Sequence, residues 1–184
     1  MAARAPGPQD VAELLATLSG KLCAITDCDI LIHSLYDPAR ESICNYVWQQ
    51  GKISTRLVES IDPAVPVTQA WGIDQPVLVQ DVASEEGFPE VVQAAREAGM
   101  GSFCWLPLSA SGRRIGAVVF GSGRAQAFRE DDLVFLGNVA KLVGLTMENA
   151  QALTALQRER DSLARISGGG VLEPAVGRIT ACHC

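Results

Sequence analysis

Residues 101–120 read GSFCWLPLSASGRRIGAVVF. Two apolar runs rich in aromatic and β-branched residues, Ser102 to Leu108 and Ile115 to Phe120, flank the polar segment SASGRR, whose Ser and Gly suit a turn. The pattern predicts an antiparallel hairpin. The stretch offers no nucleophile beside a base, no phosphate-cradling loop and no metal-ligand cluster, so its purpose has to be sought in what packs around it. Upstream, EEGFPEVVQAAREAGM predicts a helix from Pro89 to Ala98, with Pro in its first turn, Glu90 at the positive end of the dipole and Gly99 as its stop. Downstream, Phe128 and Leu133 fit a hydrophobic staple around Arg129 at the N-cap. Glu130, Asp131 and Asp132 favour the start of a long helix there.

That long helix carries Leu142, Thr146, Asn149, Leu153, Leu156, Arg160 and Leu163 in a three-four alternation, a partly polar seam that predicts a short dimeric coiled coil with Leu142, Leu153 and Leu156 as dimer contacts. Up to about Asn149 a single amphipathic helix lying on its own sheet explains the pattern equally well. At the other end of the chain, Val11, Leu14, Leu15, Leu18 and Leu22 recur at helical spacing behind Asp10 as N-cap. DILIHSLY and ICNYVWQQ then form a second hairpin around DPARES, with Ile43, Asn45 and Val47 opposite Cys44, Tyr46 and Trp48. Residues 51–76 are punctuated by Gly, Pro and Asp around a short helix at VTQAW, and QPVLVQD offers a brief strand. Residues 1–9 read as a flexible leader, 10–165 as one domain with its terminal helix, and 166–184 as a tail or the start of a linker.

The chain has 184 residues, a length suited to one domain, and a net charge of −6 with a pI near 4.9. This acidic balance argues against direct nucleic-acid binding, which draws on clustered Lys and Arg. No apolar run approaches the roughly 20 residues of a membrane span, and the start MAARAPGPQD lacks the features of a secretory signal. A soluble, cytoplasmic protein is expected. Four of the six cysteines, at 23, 28, 44, 104, 182 and 184, sit in or beside apolar segments, which predicts reduced thiols.

Helix, hairpin, irregular middle, hairpin and long helix make an α+β arrangement with an antiparallel sheet. The strand SFCWLPL, the strand RRIGAVVF with Gly116, and the helix start FREDDLVFL resemble, in order and spacing, a GAF domain over about residues 11–160, most specifically over 102–150. Within that family the chain looks most like the N-terminal sensors of bacterial enhancer-binding, sigma-54-type transcription activators of the formate-hydrogenlyase activator kind. The resemblance implies a GAF-like (PAS-like) antiparallel sheet with the N- and C-terminal helices on one face and a pocket of loops and short helices on the other. It implies a small-molecule effector whose occupancy moves the terminal helix, a homodimer, and no enzymatic activity. No GxxxxGK[ST] loop is present, so ATP hydrolysis and promoter contact lie outside this chain, which reads as a sensor fragment or a stand-alone relative.

For the implied pocket, Tyr46, Trp71, Phe88 and Trp105 are the candidate walls, while Arg56, Gln80 and Ser102 could fix a polar group; the alternative for each aromatic is plain core. Trp71, in the irregular segment, is the foremost. Cyclic-nucleotide-binding relatives carry an Asn-Lys pair ahead of a Phe. Here GSGRAQA precedes Phe128, and the staple and the helix dipole account for Phe128 and Asp132. Cys182, His183 and Cys184 resemble a bilin attachment or soft-metal set, but on a tail they supply three ligands where an ordered site wants four. No covalent cofactor and no metal are expected. His33 is expected beneath a helix, and Asp62, Asp74, Asp81 and Glu85 form no ligand motif. Two rival functions remain: a ligand-free dimerisation or interaction module, and a thiol-dependent free methionine sulfoxide reductase using Cys44 and Cys104, which as residues of one sheet could approach each other.

Overall fold

The computed structural model describes residues 8–26, 28–37, 41–58 and 65–168. The elements run α1 (Pro8–Thr26), β1 (Ile30–Asp37), β2 (Ser42–Gln49), β3 (Lys52–Val58), α2 (Pro66–Ile73), β4 (Val77–Val79), α3 (Pro89–Glu97), β5 (Ser102–Ala110), β6 (Arg113–Ser122) and α4 (Asp132–Gly168). All strands join one antiparallel sheet in the order β3-β2-β1-β6-β5-β4. This is the α+β architecture expected, with both hairpins where the alternation predicts them.

The central hairpin is tighter than SASGRR implies, because the strands extend until only Ser111 and Gly112 turn, both at positive φ (49° and 75°). β6 crosses β1 at Gly116, whose φ of 152° and close approach leave no room for a side chain. A Cβ there would sit 1.9 Å from the Ser34 carbonyl oxygen. The glycine of RRIGAVVF therefore lets the two central strands meet. β3 is an addition to the sequence expectation: Gln50 and Gly51, at φ 50° and 77°, close a two-residue turn, and the strand pairs with β2 from Lys52 to Val58.

Strand alternation divides the side chains between two cores. On one face Leu15 of α1 and Leu136, Val143 and Met147 of α4 pack on Leu31, Leu35, Cys104, Leu106, Leu108 and Phe120. On the other, Ala70 of α2 and Val92 and Ala95 of α3 pack on Val79, Phe103, Trp105 and Val119. α4 starts where the charge pattern places it, and the Asp132 carboxylate accepts the Arg129 N–H at 2.9 Å, the reciprocal half of a capping box. Cys23, in the last turn of α1, and Cys28, just before β1, form a disulfide with Cα atoms 4.7 Å apart. This corrects the expectation of reduced thiols for that pair: the short connection from helix to strand folds the two residues onto each other. The leader 1–7, Asp62, the tail 169–184 with Cys182, His183 and Cys184, and the side chain of Leu153 lie outside the described residues.

Candidate functional site

The face covered by α2 and α3 holds the candidate site. α2 ends over the central hairpin, where Ser109 donates to the Asp74 carboxylate at 3.0 Å and the Arg114 guanidinium donates to the Gly72 carbonyl. From that end Trp71 lies against Tyr36 of β1, ring centroids 4.7 Å apart. Three buried side-chain atoms on this face lack a hydrogen-bond partner among the described residues: Trp71 Nε1, Thr68 Oγ1 and Asn45 Oδ1. Each such atom costs about 1–3 kcal/mol if nothing meets it. Phe103 and Trp105, centroids 5.1 Å apart, fill the sheet beneath α2 and α3. Beyond α3, a cleft of about 520 Å³ lies among Ala83, Ser84, Glu85, Pro89, Gln93 and Arg96, away from this cluster.

The structure divides the seven sequence candidates. Trp71, Phe88 and Trp105 share the α2–α3 face, Phe88 and Trp105 in its core and Trp71 beside it. Tyr46 is on the opposite face, packed with Trp48 against the α1–α4 core, so it cannot wall the same space. Burial first, then the neighbouring Cys44, pushes its hydroxyl up to about 12. Ser102 also points away from Trp105, and its hydroxyl ties the loop to α4, donating to the Arg124 carbonyl at 2.7 Å and accepting the Ala127 N–H at 3.3 Å. Arg56 is exposed on the edge strand, in register with Asn45. Gln80 is exposed, and its carbonyl accepts the Gln126 N–H. Asn45, Thr68 and Tyr36 escaped the sequence reading. The signals were there: Thr68 stands three residues before Trp71 on one helix, and Asn45 alternates with Tyr46 on its strand.

The remaining chemistry-bearing groups are engaged elsewhere. His33 is fully buried under α1, its Nε2 2.9 Å from Ser19 Oγ, and burial pulls its pKa down to about 4. Cys104 is buried with its thiol pushed up to about 12, by burial first and then by Asp132. Cys44 and Cys104 share the α1–α4 face but stand three strands apart in sheet order, and Cys44 pairs with Leu35 where Cys104 pairs with Phe120. Sheet spacing puts them roughly 20 Å apart, well beyond thiol contact. Asp74 accepts a hydrogen bond from Ser109 Oγ, Asp81 and Glu85 accept local ones from the Ala83 and Gly87 N–H groups, and among the described residues no three His, Cys, Asp or Glu side chains gather for a metal. No helix among them is long and apolar enough to cross a membrane.

An antiparallel sheet held between terminal helices on one face and short helices on the other is the frame that GAF domains share. The family model for the GAF domain matches residues 8–148, and the chain belongs to that family, whose members commonly serve as sensory and signalling modules. Solved structures agree in fold. The GAF domain of a two-component sensor histidine kinase from Bacillus halodurans superimposes with a TM-score of 0.63 at 18% identity, over 80% of this chain and 98% of that one. The GAF domain region of a putative membrane protein from Geobacter sulfurreducens gives 0.61 at 17%, over 74% and 91%. A free methionine-R-sulfoxide reductase from Neisseria meningitidis, in complex with its substrate, gives 0.60 at 21%, over 79% and 80%. No curated protein matches the sequence.

Proposed function

We propose that the chain is a small-molecule-sensing, non-enzymatic regulatory domain of a bacterial sigma-54-type activator or a stand-alone relative, acting in the cytoplasm as a homodimer and reporting occupancy through α4. The observation that carries this reading is the tip of the β5–β6 hairpin. One side of it holds α2 through Ser109–Asp74 and Arg114–Gly72; the other holds α4, because Glu148 accepts from Ser111 Oγ at 2.6 Å and Arg113 Nη2 at 3.2 Å. The helix over the candidate site and the output helix thus hold the same turn, and a ligand that shifts α2 has a direct mechanical route to α4. Dimerisation is supported by α4 itself: Phe135, Leu142, Leu156 and Leu163 are at least half exposed and fall on one heptad position, with Asn149 between them.

Native mass spectrometry of the purified protein, compared with its denatured mass and paired with an absorption spectrum, tests the reading. A dimer carrying mass that denaturation removes, and that Trp71→Ala loses while remaining dimeric, is the expected result. A bare dimer that no compound in a binding screen stabilises would sink the sensor and leave the interaction module, which the packed aromatic core beneath α2 and α3 favours. The reductase alternative, raised by Cys44 and Cys104 and shared in fold by the neisserial enzyme, lacks support from the separation of the two thiols. Turnover of free methionine sulfoxide that Cys44→Ser abolishes would restore it.

A further inference from the structure

The three unpartnered atoms beside Tyr36 define a ligand more narrowly than the fold does. Asn45 is the cross-strand partner of Ser34, and Tyr36 is the next residue of β1 on that face. Trp71 lies against Tyr36, and Thr68, three residues earlier on α2, is its neighbour along the same side of the helix, over the sheet face that carries Asn45. Asn45 Oδ1, Thr68 Oγ1 and Trp71 Nε1 therefore border one patch of sheet. The other two unpartnered atoms, His33 Nδ1 and Ser42 Oγ, belong to the α1–α4 face.

The donor inventory then selects a partner. An indole N–H can only donate, a carboxamide oxygen can only accept, and a threonine hydroxyl does either. A carboxylate, phosphate or ammonium group would bring a full charge into a buried patch whose own groups, an indole, a hydroxyl and a carboxamide, are all neutral. The in-register cation, Arg56, is exposed to water and so offers a buried anion little compensation. A neutral group with an acceptor and a donor on neighbouring atoms meets all three. We infer that this patch binds a small uncharged molecule through an amide-type edge, that of a carboxamide, lactam or ureide. Its carbonyl accepts from Trp71 Nε1–H, its N–H donates to Asn45 Oδ1, Thr68 bonds to either, and its apolar remainder lies against the Tyr36 and Trp71 rings. The inference rests on the sensor reading and assigns that site its ligand chemistry.

The full chain labelled with nitrogen-15 reports on this directly, because its three tryptophans give three indole N–H signals and Trp71→Phe identifies one of them. Titration with 2-pyrrolidinone is expected to shift the Trp71 signal saturably and leave those of Trp48 and Trp105 in place. Asn45→Asp, nearly isosteric but charged, should weaken the probe at least about tenfold, and Arg56→Ala should leave it unchanged. Thr68→Val gives a second, milder loss should Asn45→Asp prove poorly folded in the same spectrum. Saturable binding of propionate in place of the lactam would overturn the assignment in favour of an anion, and no saturable shift with either probe would mean that water or the chain itself satisfies these atoms. If native mass spectrometry finds a retained effector while the lactam fails to bind, the ligand class falls and the sensor reading stands; if both are negative, both fall.

Discussion

Lowering the pH from 7 towards 4 should destabilise this protein through one buried histidine. His33 is fully buried, keeps one hydrogen bond through Nε2 to Ser19, and is held neutral with a pKa near 4 against an ordinary 6.5, burial being the cause. The folded state therefore resists a proton that the unfolded chain accepts. The group's contribution is complete above pH 6.5 and is lost as the pH falls towards 4, the unfolded state binding the extra proton throughout that window. Each pKa unit corresponds to about 1.4 kcal/mol, so the loss is about 2 kcal/mol by pH 5 and approaches about 3 kcal/mol near pH 4. That is a large share of the 5–15 kcal/mol typical of a domain. Urea denaturation of a His183→Gln background, which leaves His33 as the sole histidine, measures it between pH 7 and 5. The control is Ser19→Ala with His33→Leu, which removes both hydrogen-bonding partners together and strands neither. Subtracting the control's pH dependence should leave the 2 kcal/mol. Parallel curves for the two proteins would refute the argument, since the slope would then belong to other groups.

Three further outcomes follow from the geometry. Gly116→Ala should cost more than about 2 kcal/mol or prevent folding, because its Cβ would meet the Ser34 carbonyl at 1.9 Å; an unchanged melting temperature would mean that β1 and β6 do not approach as described. Tryptic peptide 22–40 contains both Cys23 and Cys28, and without reductant its mass should be lower by two hydrogens; the mass of the dithiol would remove the disulfide from the fold. Replacing Leu142 and Leu156 by Glu, both exposed and thus inexpensive to change in a monomer, should give a folded monomer by light scattering. A dimer that survived would move the interface away from this stripe of α4.

Periodicity carried the architecture because both hairpins and all four helices bury one face, and burial is what writes a period into a sequence. β3 shows the limit. As an edge strand it leaves Lys52, Ser54, Thr55, Arg56 and Leu57 exposed, so KISTRLV shows no clean alternation, and the Gln50–Gly51 turn was its remaining mark. The site was legible to the extent that it used the same periods. Trp71, Phe88 and Trp105 are on the expected side. Tyr46 and Ser102 are excluded by the alternation already visible in ICNYVWQQ and SFCWLPL, once Trp105 is taken to define the face.

What no period encodes is the absence of a partner. Asn45, Thr68 and Trp71 matter because nothing among the described residues meets their buried polar atoms, and that depends on which element lies opposite, a three-dimensional relation. The hairpin tip poses the same problem in reverse. Ser109, Ser111, Arg113 and Arg114 read as turn chemistry, yet each is spent on holding α2 or α4. Small hydroxyls and long cations serve turns and tethers alike, so the sequence of SASGRR could announce a loop without disclosing that two helices are fastened to it. The proposed coupling of the α2 face to α4 needs such a fastening at a place that both helices reach. The tip of the two longest strands is that place.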